Sequence, residues 1–159
     1  MRTRVTLGIA ALATVLSSLT FVTLPAHADT GIATIQGAGT VGPGLTTTPT
    51  AQNYSLSGSG PIVVANRPSL TGVYTCNISG GSSWVETVAV GQGSFAGSCS
   101  GPTTVAIDGA YTRYGEFEWL ITGQFTGAFN ASYTGVCTGA PSSAPTVTSF
   151  RIACQLALH

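Results

Sequence analysis

Apolar and polar residues alternate with a period of two over long parts of this chain. The clearest run lies at the carboxyl end, where the apolar positions are Phe150, Ile152, Cys154, Leu156 and Leu158. Successive side chains of a β-strand point to opposite faces, whereas a helix repeats its apolar face every three or four residues. The run therefore predicts a strand with one buried face.

The stretch 117–137 shows the same alternation, with mostly polar residues at even positions. Its odd-numbered positions carry Phe117, Trp119, Ile121, Phe125, Phe129, Ala131, Tyr133 and Cys137. Gly123 and Gly127 interrupt the run, and glycine is favoured where a hairpin reverses. We predict two antiparallel strands of one hairpin that reverse at these glycines.

Glycine and proline punctuate the remaining sequence too often for helices, since the 159 residues include 21 Gly and 8 Pro. Between them, further strands are predicted at 31–36, 54–57, 62–65, 73–79, 84–90, 94–100 and 103–114. Turns are predicted at 80–83, 91–93 and 101–102, at the pair Gly58 and Gly60, and, as a turn or bulge, at Asp108-Gly109.

About 8–10 short strands joined by tight turns predict an all-β antiparallel meander. Such a meander closes as a small β-barrel or as a β-sandwich, and the pattern does not choose between them. Residues 37–49 are compatible with an edge strand followed by a loop, or with a flexible leader.

The amino end has the three parts of a secretory signal peptide. Arg2 and Arg4 precede an apolar run at 5–24, and Ala26-His27-Ala28 supplies the small residues at a cleavage site. We therefore predict a signal peptide at 1–28 and a single secreted domain at 29–159. No later apolar stretch approaches the roughly 18 residues needed to span a bilayer, so we expect no membrane span after cleavage.

Four cysteines lie in the predicted domain, and an even count in an exported protein predicts two disulfides. Cys76–Cys99 and Cys137–Cys154 are the favoured pairs, because strands adjacent in a meander sequence are usually adjacent in space. The cysteines are too widely spaced for a typical structural zinc site. We expect no metal and no cofactor.

Charged residues make up only 6% of the chain and lysine is absent, which disfavours nucleic-acid binding. His159 is the only histidine of the predicted domain, so a catalytic triad lacks a positioned imidazole. The favoured prediction is therefore a protein without catalysis. The alternative is a small secreted carbohydrate-active hydrolase that uses Glu116 and Glu118, which lie two residues apart and so share a strand face.

Trp84, Tyr111 and Tyr114 lie near predicted turns and are candidates for ligand binding, because such rings stack on sugars and partner surfaces. The competing interpretation places them in the core and sheet. The function predicted is a secreted binding or surface-interaction module for a small molecule, a carbohydrate or a protein surface. A dry interior cavity or an exposed aromatic strip would favour binding, whereas a pocket with two carboxylates would favour the hydrolase.

The segment Gly39 to Leu45 reads Gly-Thr-Val-Gly-Pro-Gly-Leu and is followed by threonines. With the signal peptide and the widely spaced cysteines, it resembles small secreted β-proteins of actinobacteria. This resemblance implies an exported β-domain and implies no activity. The composition is also similar to that of enediyne chromoprotein apoproteins, two-disulfide β-sandwiches that carry a small ligand. Their disulfide loops are short, unlike the spacing here, so no ligand residue is transferred.

Overall fold

A computed structural model describes residues 28–45, 51–86, 89–115, 117–141 and 146–159. Of the predicted signal peptide, only residue 28 falls within these ranges. Glu116 and residues 46–50 lie outside them, and so do the side chains of 82–86, which include Trp84.

Eight long antiparallel strands form one closed barrel, in which each strand pairs with the next and the last pairs with the first. The strands are β1 Gly31–Leu45, β2 Gln52–Val64, β3 Gly72–Glu86, β4 Ala89–Ser100, β5 Thr104–Gly115, β6 Glu118–Gly127, β7 Ala131–Pro141 and β8 Val147–Leu158. The predicted all-β meander is confirmed, and the closure is a barrel. In the described ranges the helical part is one 3₁₀ turn, Pro68–Leu70.

Several glycine segments that were predicted to be turns lie inside strands, and those predictions are wrong. Segments 80–83 and 91–93 belong to β3 and β4, and Gly58 and Gly60 belong to β2. Gly123 lies inside β6, so the hairpin predicted at 117–137 reverses after Gly127 and not at Gly123. Asp108-Gly109 pairs with β6 without a change of register, so it is neither a turn nor a bulge. Residues 37–45 continue β1, which pairs with β2 on one side and with β8 on the other. This part of 37–49 is therefore a strand and not a flexible leader.

Glycine occupies these strand positions because large side chains of the adjacent strand cover them inside the barrel. A Cβ added to Gly123 of β6 would overlap the hydroxyl of Tyr133 of β7. A Cβ added to Gly80 of β3 would likewise overlap the hydroxyl of Tyr54 of β2. Each pair therefore puts one large ring where two ordinary side chains would collide.

Both predicted disulfides are confirmed. Cys76 bonds Cys99 between β3 and β4, and Cys137 bonds Cys154 between β7 and β8. Each bridge joins residues directly opposite in the strand register, and all four cysteines are buried in the interior. In the chain-entropy model, loops of this size stabilise the fold by about 3 kcal/mol each.

One end of the barrel, here called the closed end, holds Asp29, Val64 and Phe129. Phe129 lies in the turn between β6 and β7 and is fully buried. Its ring centroid is 5.4 Å from that of Phe125 and 6.4 Å from that of Tyr74. This aromatic cluster plugs the interior at the closed end.

Asp29 ties the chain together at the closed end. Its carboxylate is 1% exposed, accepts hydrogen bonds from Asn66 Nδ2 at 3.0 Å and the Asn130 backbone N–H at 2.9 Å, and pairs with Arg67 Nε at 3.0 Å. Its own backbone N–H donates to the Asn130 carbonyl at 2.8 Å. Three separate chain segments therefore meet on one buried carboxylate.

Candidate functional site: an apolar cavity open at one end

The barrel encloses an apolar cavity of about 120 Å³. Side chains from all eight strands, and from the β5–β6 connection, contribute to its wall. The lining residues are Ile35, Val41, Tyr54, Leu56, Cys76, Ile78, Phe95, Ile107, Tyr111, Phe117, Trp119, Ile121, Tyr133, Ala140, Pro141, Val147, Phe150, Ile152, Cys154 and Leu156. None of these side chains carries a charge.

As far as the described residues go, the cavity opens at the end opposite the plug, here called the open end, where β1 finishes at Leu45 and β2 begins at Gln52. Lining residues deep in the barrel, such as Tyr133, are buried, whereas Phe117, Trp119 and Phe150 at the open end are only half-buried.

The rim of the open end is held by Gln52, which is 2% exposed. Its side-chain oxygen accepts from the Gly44 backbone N–H at 2.9 Å, and its amide nitrogen donates to the Gly44 carbonyl at 3.2 Å. This two-bond clamp fixes the end of β1 against the start of β2. Val41 and Val147 pack together beside it, so an ordered apolar collar surrounds part of the entrance.

Two cavity tyrosines direct their hydroxyl groups into the barrel wall. The Tyr54 hydroxyl of β2 donates to the Ser94 carbonyl of β4 at 3.0 Å. The Tyr133 hydroxyl of β7 donates to the Asp108 carbonyl of β5 at 2.9 Å. Each side chain thus crosses an intervening strand, and its ring presents apolar surface to the cavity.

Tyr111 of β5 differs from them. It is 8% exposed, and its ring meets that of Tyr54 edge-on, with the centroids 5.7 Å apart. Its hydroxyl is buried beside the Tyr54 hydroxyl and, unlike the hydroxyls of Tyr54 and Tyr133, donates to no backbone carbonyl of the described residues.

The tyrosines stay neutral under ordinary conditions. Burial raises the pKa of Tyr111 to about 12, although the neighbouring Tyr54 hydroxyl acts in the opposite direction. Burial also raises the pKa of Tyr54 and of Tyr133 well above the ordinary value of 10.0. Because a phenol with a raised pKa keeps its proton, these three side chains carry no charge near neutral pH.

The sequence-predicted candidates fall in different places. Tyr111 lies in the cavity wall, whereas Tyr114 is exposed on the outer face of β5. Glu118 is exposed on β6 and is not among the cavity residues, and its predicted catalytic partner Glu116 lies outside the described residues. Trp84 belongs to β3, but its side chain also lies outside the described part.

Sequence reasoning missed Tyr54 and Tyr133 as site residues. The sequence signal for both was an aromatic residue at an inward-facing position of a glycine-rich strand. Whether such a residue lines the cavity depends on which glycine lies beside it on the next strand. In the described ranges, no group of three or more His, Cys, Asp or Glu side chains is arranged to hold a metal ion. The same ranges contain no helix of the length and apolarity needed to cross a membrane.

The fold and the cavity together define a small eight-stranded antiparallel barrel with an apolar interior that opens at one end. No protein-family model matches the chain, and searches of curated proteins and of solved structures found no match.

Proposed function

We propose that this protein is an exported, non-catalytic binding module that takes a small apolar ligand, or the apolar end of a larger one, into the barrel. The observation that carries the proposal is the uncharged cavity of about 120 Å³ that opens at one end. Eight-stranded barrels have interiors just wide enough to be filled by side chains or to hold one small ligand. Export is supported by the two disulfides, since such bonds persist in oxidising compartments.

The size of the cavity limits the ligand. An engineered protein cavity of about 150 Å³ with an aliphatic and aromatic lining binds benzene, whereas sites for drug-sized molecules reach about 300–1,000 Å³. The present cavity therefore suits a six-carbon ring or a short alkyl chain. At about 0.8 kcal/mol per buried methylene, burial of six carbons contributes about 5 kcal/mol of binding free energy, which corresponds to a Kd of about 0.2 mM.

The hydrolase alternative draws no support from the residue that the structure can place. Glu118 is exposed, and both neighbouring odd-numbered residues, Phe117 and Trp119, line the cavity instead. General-acid catalysis by a carboxyl needs an apolar pocket around it, and the exposed Glu118 side chain lies outside the cavity. The binding module is therefore the function that we carry forward.

The test is a titration of the chain beginning at Asp29 with benzene and with cyclohexane, followed by calorimetry and NMR. A matched pair of variants locates the site. Leu56→Trp fills the cavity and should abolish binding, because Leu56 lines it. Leu120→Trp makes the same change on the outer face, where Leu120 is 50% exposed, and should bind as the parent does.

Circular dichroism of both variants checks that each is folded. Saturable binding that survives Leu56→Trp, or no binding of either hydrocarbon by the parent at millimolar concentration, would contradict the proposal.

A further inference from the structure

We propose that the ligand is an amphiphile that binds tail first, with an unsubstituted hydrocarbon end inside the barrel and its polar group at the open end. The ligand class is then a molecule whose terminal alkyl chain carries no polar substituent over about its last five carbons. This inference rests on the proposed function, because it adds the orientation of the ligand and the position of its polar group in the same cavity.

The cavity wall offers almost no polar atom to a ligand. The hydroxyls of Tyr54 and Tyr133 donate to backbone carbonyls of the wall, and the Tyr111 hydroxyl is buried beside that of Tyr54. Cys76 and Cys154 are held in the two disulfides. A ligand hydroxyl or carbonyl inside the barrel would therefore give up its hydrogen bonds to water and find no partner, which is unfavourable.

In the part of the chain that the structure describes, the closed end gives a polar group no second way out to water. Phe129 plugs this end, is fully buried, and packs against Phe125 and Tyr74. A ligand can therefore keep its polar group in water only by leaving that group at the open end. A ligand whose polar group lies in the middle of its chain can insert only the short arm beyond that group.

The cavity follows the strands, which suits a chain that enters end-on. Four successive inward positions of β8 line it, and these are Phe150, Ile152, Cys154 and Leu156. The distance from Phe150 to Leu156 is about 20 Å along the strand, or about 15 Å along the barrel axis at the usual strand tilt. A volume of about 120 Å³ over that length leaves a narrow space. The shape therefore suits an extended alkyl chain.

The open end is where a polar group meets water and a polar side chain. Phe117, Trp119 and Phe150 are half-buried there, so solvent reaches the cavity lining at this point. Arg113 of β5 lies directly opposite Trp119 of β6 in the register, and residues opposite each other in an antiparallel pair share a face. Along the inner face of β5, apolar residues such as Ile107 thus give way to a charged residue at the open end, where the polar group of a tail-first ligand lies.

The test compares two isomers, pentan-1-ol and pentan-3-ol, titrated into the chain beginning at Asp29 and followed by NMR. The first has a free five-carbon tail, whereas the hydroxyl of the second lies in the middle of the chain. Burial of an unpaired hydroxyl weakens binding by about five- to 150-fold, so we expect pentan-3-ol to have the higher Kd by a factor in that range.

Hexane and 3-methylpentane are the matched controls for the width of the probes, because a methyl group replaces the hydroxyl in each. Their dissociation constants should differ by a smaller factor than those of the two alcohols. Binding of pentan-1-ol should be lost in Leu56→Trp and kept in Leu120→Trp, which locates the alcohol in the cavity.

A second measurement gives the orientation directly in the parent protein. The terminal methyl group of bound pentan-1-ol should give stronger intermolecular nuclear Overhauser effects than its CH₂–OH protons at Ile107 and Leu156, and weaker ones at Trp119 and Phe150. Equal dissociation constants for the two alcohols, or Overhauser effects in the reverse order, would refute tail-first binding and leave the binding function standing. If neither the alcohols nor cyclohexane bind the parent, the binding function itself fails.

Discussion

Replacing Gly123 by alanine is the sharpest test of how the barrel is packed. In the middle of a strand, this change would ordinarily stabilise the protein by about 0.4–1 kcal/mol, since alanine restricts the unfolded chain. The structure predicts the opposite sign. The new Cβ would overlap the Asp108 carbonyl and the Tyr133 hydroxyl, and would lie 2.7 Å from Gly109 Cα.

The magnitude follows from what must move. Tyr133 must leave the Asp108 carbonyl, which forfeits a hydrogen bond worth about 1 kcal/mol. Overpacking of a well-filled interior adds about 1–3 kcal/mol. We therefore expect Gly123→Ala to lower the free energy of unfolding by about 2–4 kcal/mol.

Urea denaturation followed by tyrosine fluorescence measures this change. Gly42→Ala is the control, because an added Cβ there meets nothing within 4 Å, and it should show the ordinary stabilisation of about 0.4–1 kcal/mol. The double variant with Tyr133→Phe completes a mutant cycle. If Gly123→Ala is neutral or stabilising, or if the two changes are additive, the ring does not rest on Gly123 as described.

Three further predictions concern other parts of the barrel. Asp29→Ala should lower the free energy of unfolding by about 2–4 kcal/mol, because it leaves several buried hydrogen-bond donors without an acceptor. Arg67→Ala removes a half-exposed side chain and should lower it by about 1 kcal/mol or less. Equal losses in thermal melts would contradict this prediction. Glu118→Gln should change the free energy of unfolding by less than about 0.5 kcal/mol, because the side chain is exposed. Trp119→Ala, which truncates a half-buried side chain, should lower it by about 2 kcal/mol, and denaturation midpoints measure both effects. Stability should be retained up to pH 10.0 and fall as the pH rises toward about 12, because the folded state raises the pKa of Tyr111 above its unfolded value; denaturation midpoints that do not change over this range would refute the assignment.

The strands with strict alternation could be predicted because their pattern is local. In β8, the inward positions from Ile152 to Leu158 follow the period of two, and in β6 and β7 the inward aromatic residues were assigned to the correct face. The disulfide pairing also followed, since a meander puts consecutive strands side by side. The alternation within a strand and the pairing of consecutive strands both depend on residues that are close together in the sequence.

The glycine-rich strands could not be predicted in the same way. Gly80 and Gly93 resemble turn residues in sequence, and only the register with the neighbouring strand shows that Tyr54 and Tyr111 lie over them. Tyr111 was chosen because it lay near a predicted turn, whereas the structure places it in the interior wall.

The two wall-bonded tyrosines have a mechanical consequence for the cavity. A ring of strands held only through nearest-neighbour ladders can flatten from a round to an oval cross-section by small rotations at every joint. Tyr54 links β2 to β4 across β3, and Tyr133 links β7 to β5 across β6. Each hydrogen bond therefore restricts the angle between the two outer strands of its group of three. These two hydrogen bonds therefore set the width of the barrel interior. Under the proposed binding function, such a barrel would select ligands by their thickness and would tolerate variation in how far they protrude past the rim.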